Sequence, residues 1–199
     1  LRVDVLILGI NGAPRSDGCS GLALQRALDA ALAVDERIQA RRLELADYRI
    51  CGCIACDGCA DYGRCGINDD FNQLLPILTD PAVAGVIIAA PSAMGSISAQ
   101  SKAFLDRSML LKRNGHPLRN KVGGGIAIGS RSSHGQEQVL HSLHTALLCH
   151  GMVLCTPLTD DCQCGCALQM DRNDKLNEDD LALASGLGSR VAELALRLS

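Results

Sequence analysis

Cysteine carries most of the chemistry this chain can offer. There are eleven in 199 residues: five between positions 51 and 65, five between 149 and 166, and Cys19 on its own. A disulfide framework would bring an even count in a short exported chain, whereas an odd, clustered set points to thiolates gathered around metal. Two ligand sets can be drawn through the first group, C-G-C-I-A-C-D-G-C-A-D-Y-G-R-C. Cys53, Cys56, Cys59 and Cys65 form a C-x2-C-x2-C-x5-C run, close enough in sequence to wrap four sulfurs around a 4Fe-4S cubane, with Gly58 and Gly63 easing the turns. Cys51, Cys56 and Cys59 instead reproduce the C-x4-C-x2-C spacing of a 2Fe-2S site and need a remote fourth cysteine. Zinc also takes four thiolates, although its sites normally use two C-x2-C pairs on a longer loop, and uncoordinated reactive thiols are the remaining alternative. Packing alone does not account for the group, because a polar, glycine-containing loop has no core for so many thiols to fill.

The second group runs Cys155, then Asp160-Asp161-Cys162-Gln163-Cys164-Gly165-Cys166. Cys162, Cys164 and Cys166 are candidate ligands of a second metal or cluster, with Cys149 or Cys155 as a further donor. Alternate residues of an extended strand point to opposite sides, so this reading needs a looped backbone. Thiol redox chemistry, or simple loop cysteines, are its alternatives. Four of the five histidines fall between 134 and 150; without a carboxylate or cysteine at matching spacing they read as a solvated or subunit-facing helix rather than a metal site.

A second chemistry-bearing stretch is the loop N-G-A-P-R-S-D-G-C-S-G, which runs straight into a helical pattern. Amides at a helix N-terminus and the helix dipole favour an anion there. Arg15, Ser16 and Ser20 are placed to complete a phosphate cradle. The dinucleotide pattern G-x-G-x-x-G is absent, so a mononucleotide phosphate fits better. An ordinary strand-to-helix turn is the plain alternative.

These loops need elements to hold them. Val3-Leu8 reads as a first strand, Leu22-Leu32 as a helix, 38-45 as an alternating strand near a sheet edge, 70-78 as a helix capped by Asn68 or Asp69, and Val83-Ala90 as a buried parallel strand. Ser101-Leu111 follows as a helix, Val122-Ile128 as another buried strand, His134-His150 as a helix stopped by Gly151, Met152-Cys155 as a last short strand and Asp179-Leu198 as the closing helix. Such alternation predicts an α/β fold with a parallel sheet covered on both faces, whose ligands sit in the loops after the first, third and fourth strands, at 10-20, 90-99 and 129-137. One domain over 1-199 is expected, with a cluster loop at 51-67 and a cysteine-rich segment at 155-166. The formal charge of -3, with basic residues scattered, leaves no footprint for nucleic acid or an anionic membrane. No apolar run reaches the roughly 18 residues of a membrane span, and the opening LRVDVLILGI lacks signal-peptide features, so a cytoplasmic protein is expected.

Together these residues resemble the iron-sulfur flavoprotein branch of the NADPH-dependent FMN reductases, a flavodoxin-like family. Its G-S-P-R-x-x-G-N-T loop, which binds the flavin phosphate, is matched by Gly12-Ala13-Pro14-Arg15 and Gly18-Cys19-Ser20, with Ala13 and Cys19 in place of the usual Ser and Asn. Its compact cysteine motif followed by paired acids is matched by Cys53, Cys56, Cys59, Cys65 and Asp69-Asp70. The S-P-V-Y loop that lies against the flavin ring corresponds to Ala90-Pro91-Ser92-Ala93, which lacks the Tyr ring and continues through Met94 and Ser96. The K-x-F-x-D-R signature is present as Lys102, Phe104, Asp106 and Arg107, of which Asp106 and Arg107 read as structural partners of neighbouring loops. After the fourth strand, Ser133-His134-Gly135-Gln136-Glu137 matches the family segment whose backbone meets the pyrimidine edge of the flavin, and Ser130 and Arg131 lie just before it as further candidate contacts, Arg131 with a charge that suits the anionic reduced flavin.

The resemblance implies a flavodoxin-like fold, a five-stranded parallel sheet in the order 2-1-3-4-5 with helices on both faces and a cysteine-rich loop insertion. It implies FMN and a 4Fe-4S cluster, cofactors that carry the chemistry without a catalytic side chain. The expected activity is an NAD(P)H-dependent oxidoreductase or electron-transfer protein relaying electrons between the two. The alternatives are a carrier fed by a ferredoxin-like partner and a zinc-stabilised interaction module. A homodimer or homotetramer is expected.

Overall fold

The computed structural model describes residues 4-61, 63-130, 134-158 and 164-199. β1 (Val5–Asn11) is buried at every position, as a central strand must be when helices cover both faces of the sheet. β3 (Val83–Ala93) and β5 (Val122–Gly129) are equally apolar runs, and β2 (Ile38–Glu44) alternates between buried and open positions because it lies at the edge. These four strands pair in parallel in the order β2-β1-β3-β5, so in strand order the sheet follows the expected flavodoxin-like arrangement.

The fifth position differs from the expected single strand at Met152-Cys155. It is built from two fragments, both parallel to β5: β6 (Val153–Leu154) pairs with Val122 and Gly123, and β7 (Cys166–Gln169) pairs with Ile126 to Gly129. Cys166 is thus a strand residue. A two-residue strand, β4 (Ser96–Ile97), folds back antiparallel on the end of β3.

Helices α1 (Cys19–Leu32) and α7 (Glu178–Leu198) cover one face, packing Leu24, Leu28, Leu187 and Val191 against Ile7, Ile87 and Ile126. The other face carries α3 (Phe71–Leu78), α4 (Ala99–Arg107), α5 (Met109–Arg113) and α6 (Gln136–Cys149) over a core that includes Phe71, Leu74, Phe104, Leu111 and Leu143. α2 (Gly58–Asp61) is one turn inside the cysteine loop. The helix expected over 101-111 is therefore two. They break at Ser108, whose hydroxyl donates to Leu105 O at 2.6 Å, a local side-chain bond that competes with a regular helix. α6 starts after His134, because Gly135 takes φ +122°, where an added Cβ would stand 2.7 Å from Gly95 O. No helix among the described residues is long and apolar enough to cross a membrane.

Candidate functional site

Two cavities flank α4, one at each end. At its N-terminal end lies a cleft of about 220 Å³ on the carboxyl rim of the sheet, lined by Ala13, Arg15, Gly18, Cys19 and Ser20 from the loop after β1 and by Pro91, Ser92 and Ala93 from the end of β3. The sequence had singled out these eight. Pro14, Ser98, Ile128 and Met170 complete the wall. Ser98 belongs to the loop already marked as ligand-bearing, whereas Met170 reaches the cleft only because β7 carries it to the rim, a route no local pattern reveals.

The rim loop is held from below. Buried Asn11 accepts from Ala13 N at 3.1 Å and donates to Glu44 at 2.7 Å, tying the loop to β2. Gly12 lies behind the loop: its carbonyl is 2.9 Å from the hydroxyls of both Ser98 and Ser101, and its N–H donates to Ala89 O at 2.7 Å. Gly12 thus shapes the cradle from outside it. α1 begins at Gly18 with no side-chain cap, so its first amides face the cleft without a built-in partner, as an anion site requires. Cys19 points its sulfur at Asp174 O, 3.1 Å away, and burial together with the nearby Asp174 charge pushes its thiol up, so it is a poor nucleophile there.

Met94 and Ser96 do not line the cleft: Met94 is fully exposed at the tip of the turn between β3 and β4, with φ +51°, and Ser96 pairs with Ala93. His134 approaches through its backbone, whose carbonyl accepts from Ser92 Oγ at 3.1 Å, and Gly135 packs on Gly95. Ser130 directly follows β5, and Arg131 and Ser133 lie outside the described residues.

At the other end of α4, Cys53, Cys56, Cys59 and Cys65 line a single cavity of about 240 Å³ with Ile54, Ile67, Arg107, Met109 and Arg113. Cys51 does not line it; its backbone is taken up elsewhere, N–H donating to Asp69 at 2.8 Å and carbonyl accepting from Arg107 at 3.1 Å. The loop wraps the cavity by placing Ala55 and Asp57, on either side of Cys56, in the left-handed region at φ +53° and +57°. That conformation costs about 1 kcal/mol or more per residue, so it is held by surrounding bonds. Cys53 Sγ accepts from Ala55 N–H at 3.4 Å, Cys59 Sγ accepts from Arg113 at 3.3 Å, and Asn114 donates to Cys59 O at 3.1 Å.

Beneath the loop, Arg107 forks onto Asp69 at 2.6 and 2.9 Å and stacks 4.9 Å above the Phe71 ring. Burial pushes the Asp69 carboxyl up, but the Arg107 bonds, the amides of Cys51 and Phe71 and the guanidinium charge together hold it below the usual carboxylate range. Arg107 Nε is buried with no hydrogen-bond partner, on the cavity wall beside Cys65. Among the described residues no three Cys, His, Asp or Glu side chains converge on a point where one metal ion would sit. Four zinc thiolates would stand about 3.8 Å apart, from a 2.3 Å bond in a tetrahedron. Four cysteines around one cavity suit a body with volume of its own, and Arg107 on the wall brings its positive charge to Cys65.

Among the described residues, the second cysteine group forms no cluster of metal ligands. Cys155 is buried, its thiol pushed up to about 12 by burial, and Cys166 is buried in β7 with its sulfur on Leu183 O at 3.3 Å. Cys164 is exposed, and Cys162 lies outside the described residues. The nine described cysteines other than Cys166 form no disulfide.

Comparison with known proteins places the chain. It is 34% identical over 190 residues to an iron-sulfur flavoprotein of Methanocaldococcus jannaschii, covering 94% of this chain and 96% of that one. An iron-sulfur flavoprotein of Methanosarcina thermophila is 35% identical over 150 residues, 74% of this chain and 75% of its own. In structure it is similar to RosB, with a TM-score of 0.75 at 18% identity over 98% of this chain and 80% of that one, and to a WrbA-like flavodoxin of Agrobacterium tumefaciens, with a TM-score of 0.64 at 17% identity over 98% and 99%. The sequence profile that matches residues 5-158 agrees with the rim cradle and the strand order, and the chain belongs to the NADPH-dependent FMN reductase family.

Proposed function

We infer that this chain is an oxidoreductase that holds FMN in the rim cleft and a 4Fe-4S cluster on Cys53, Cys56, Cys59 and Cys65, with a nicotinamide cofactor as electron donor. The observation that carries the reading is the convergence of those four cysteines, without Cys51, on one cavity at the end of the helix whose N-cap, Ser98, lines the flavin cleft. α4 has nine residues, so the two cavities are separated by about 13 Å of helix at 1.5 Å per residue. The names of its relatives, iron-sulfur flavoproteins and NAD(P)H dehydrogenases (quinone), support the same chemistry.

FMN exchanges electron pairs or single electrons and the cluster exchanges single electrons, so the pair joins two-electron to one-electron chemistry. The chain's own residues bind and orient. Amides at the start of α1, with Arg15 and Ser20, hold the phosphate; Pro91 to Ala93 and Met170 form the wall beside the ring; the buried Arg107–Asp69 pair fixes the cysteine loop against α3 and α4. We read residues 1-199 as one domain, in the cytoplasm, acting as a homodimer or homotetramer.

Protein purified under argon is expected to contain FMN with about four iron and four sulfide per chain. Cys53→Ser should lose the iron and Cys51→Ser should keep it. Iron retained in Cys53→Ser but lost in Cys51→Ser would replace this ligand set with the one that begins at Cys51, and a colourless zinc protein would end the reading. Mixing with NADPH should bleach the flavin promptly; bleaching only by a reduced ferredoxin would make the protein a carrier.

A further inference from the structure

Arg113, the last residue of α5, points one terminal nitrogen at two acceptors on the cysteine loop. Nη1 donates to Asp57 Oδ1 at 2.8 Å and to Cys59 Sγ at 3.3 Å. Asp57 is well exposed and sits in the left-handed region between Cys56 and Cys59. An exposed Asp at this position is not required for packing, and Gly would take φ +57° at less cost. What Asp57 does provide is an anion that competes with a ligand sulfur for the same guanidinium.

We propose that Arg113 and Asp57 form an opposed pair that sets the reduction potential of the cluster held by Cys59. The proposal rests on the cluster reading above. Adding one electron makes the thiolate shell more negative. A donor and positive charge at Cys59 stabilise that state and raise the potential, and hydrogen bonds to the sulfurs and net local charge are the levers a protein has on such potentials. Asp57 acts the other way twice over, by its own charge and by drawing Arg113 from the sulfur. Arg113 is a positioning residue: it stays protonated throughout, and no proton moves in the step. Arg107, on the cavity wall beside Cys65, is fixed by both terminal nitrogens on Asp69 and stays the same when Arg113 or Asp57 is replaced, so it provides a constant background.

The two substitutions must therefore shift the potential in opposite directions, which a loop that is merely loosened would not do. Wild type, Arg113→Gln and Asp57→Asn, all purified under argon, would be titrated with dithionite in the presence of mediators, with the reduced cluster followed by electron paramagnetic resonance. Arg113→Gln should lower the reduced-to-oxidised ratio at fixed poise by about threefold to tenfold, a downward shift of about 28 to 59 mV for a one-electron couple, and Asp57→Asn should raise it. Arg113→Lys, which keeps the charge but not the planar fork, should fall between wild type and Arg113→Gln.

Shifts in the same direction, or no shift in either protein, would overturn the proposal. If Arg113→Gln fails to retain iron, Asp57→Asn and Arg113→Lys still decide: an unchanged or lowered potential in Asp57→Asn overturns it. Wild-type protein without iron and sulfide would instead defeat the cluster reading itself, an outcome separate from unmoved potentials in a loaded protein.

Discussion

Arg107 and Lys102 show how differently two ion pairs on one helix can weigh. The Arg107 side chain is 1% exposed and that of its partner Asp69 7%, whereas Lys102 and Asp106 are 55% and 41% exposed, one turn apart on the outer face. Removing one member of a buried pair leaves an uncompensated charge, and Asp69 also accepts from the amides of Cys51 and Phe71, so its charge cannot easily leave. Arg107→Met should cost about 3 to 5 kcal/mol, read as a lower urea midpoint, with Arg107→Lys in between because it keeps the charge and loses the fork. Lys102→Ala should cost less than about 1 kcal/mol, since an exposed pair is screened by water and salt. Equal effects at the two positions would refute the assignment of Asp69 and Arg107 as the anchor of the cysteine loop.

At the scale of elements, the phosphate cradle depends on a helix crossing far from it. Gly188 on α7 lies so close to α1 that an added Cβ would stand 2.7 Å from Ala27 Cα, backbone that cannot yield, while a Cβ at Gly186 would meet only Pro157 Cβ at 3.4 Å. Gly188→Ala must push α1 away and should cost about 1 to 3 kcal/mol of overpacking, whereas Gly186→Ala should be neutral or stabilising by up to about 1 kcal/mol through helix propensity. Because α1 presents Gly18, Cys19 and Ser20 to the cleft, Gly188→Ala should also weaken FMN binding in a fluorescence titration, and unchanged binding would disconnect the crossing from the cradle. The elements legible from sequence are those whose burial is periodic. β1, β3, β5, α1 and α7 each carry a continuous apolar run or stripe, and the loops between them followed. The split fifth strand was not legible, since β6 has only two residues and β7 places Cys166 and Leu168 in the core within a run that reads as metal ligands. Nor was the break at Ser108, where a hydroxyl bond to Leu105 O competes with the helix and no apolar spacing marks it, or the approach of Arg113 to a sulfur 54 positions away, a tertiary contact that leaves no trace in local spacing.

Across the whole molecule, acid acts on buried titrating groups under the face covered by α3 to α6. His150 is buried at the end of α6, and burial, with the charges of Lys112 and His116, pushes its imidazole down; burial and His141 do the same to His144 on the same helix. The Ser108 hydroxyl already donates to Leu105 O, so His150 Nε2 donates to Ser108 at 2.8 Å and Nδ1 remains an unprotonated, unpartnered acceptor. Both imidazoles are thus harder to protonate in the fold and accept protons more readily when it opens. For a group whose folded pKa lies below an unfolded value near 6.5, stability is full above that value and declines as pH falls beneath it, by at most about 1.4 kcal/mol per pH unit for each imidazole. Asp69 enters later: its stabilisation is complete above about 4, the unfolded carboxylate value, and is lost only as pH drops toward its lower folded value. The melting temperature should therefore fall between pH 7 and pH 5 and fall again below 4. Acid lability of the cluster would lower it as well, so the informative quantity is the difference between wild type and His150→Gln, which keeps a side-chain donor for Ser108 but cannot charge. His150→Gln should lose less stability than wild type from pH 7 to pH 5, and parallel curves would show that His150 contributes nothing to the acid response.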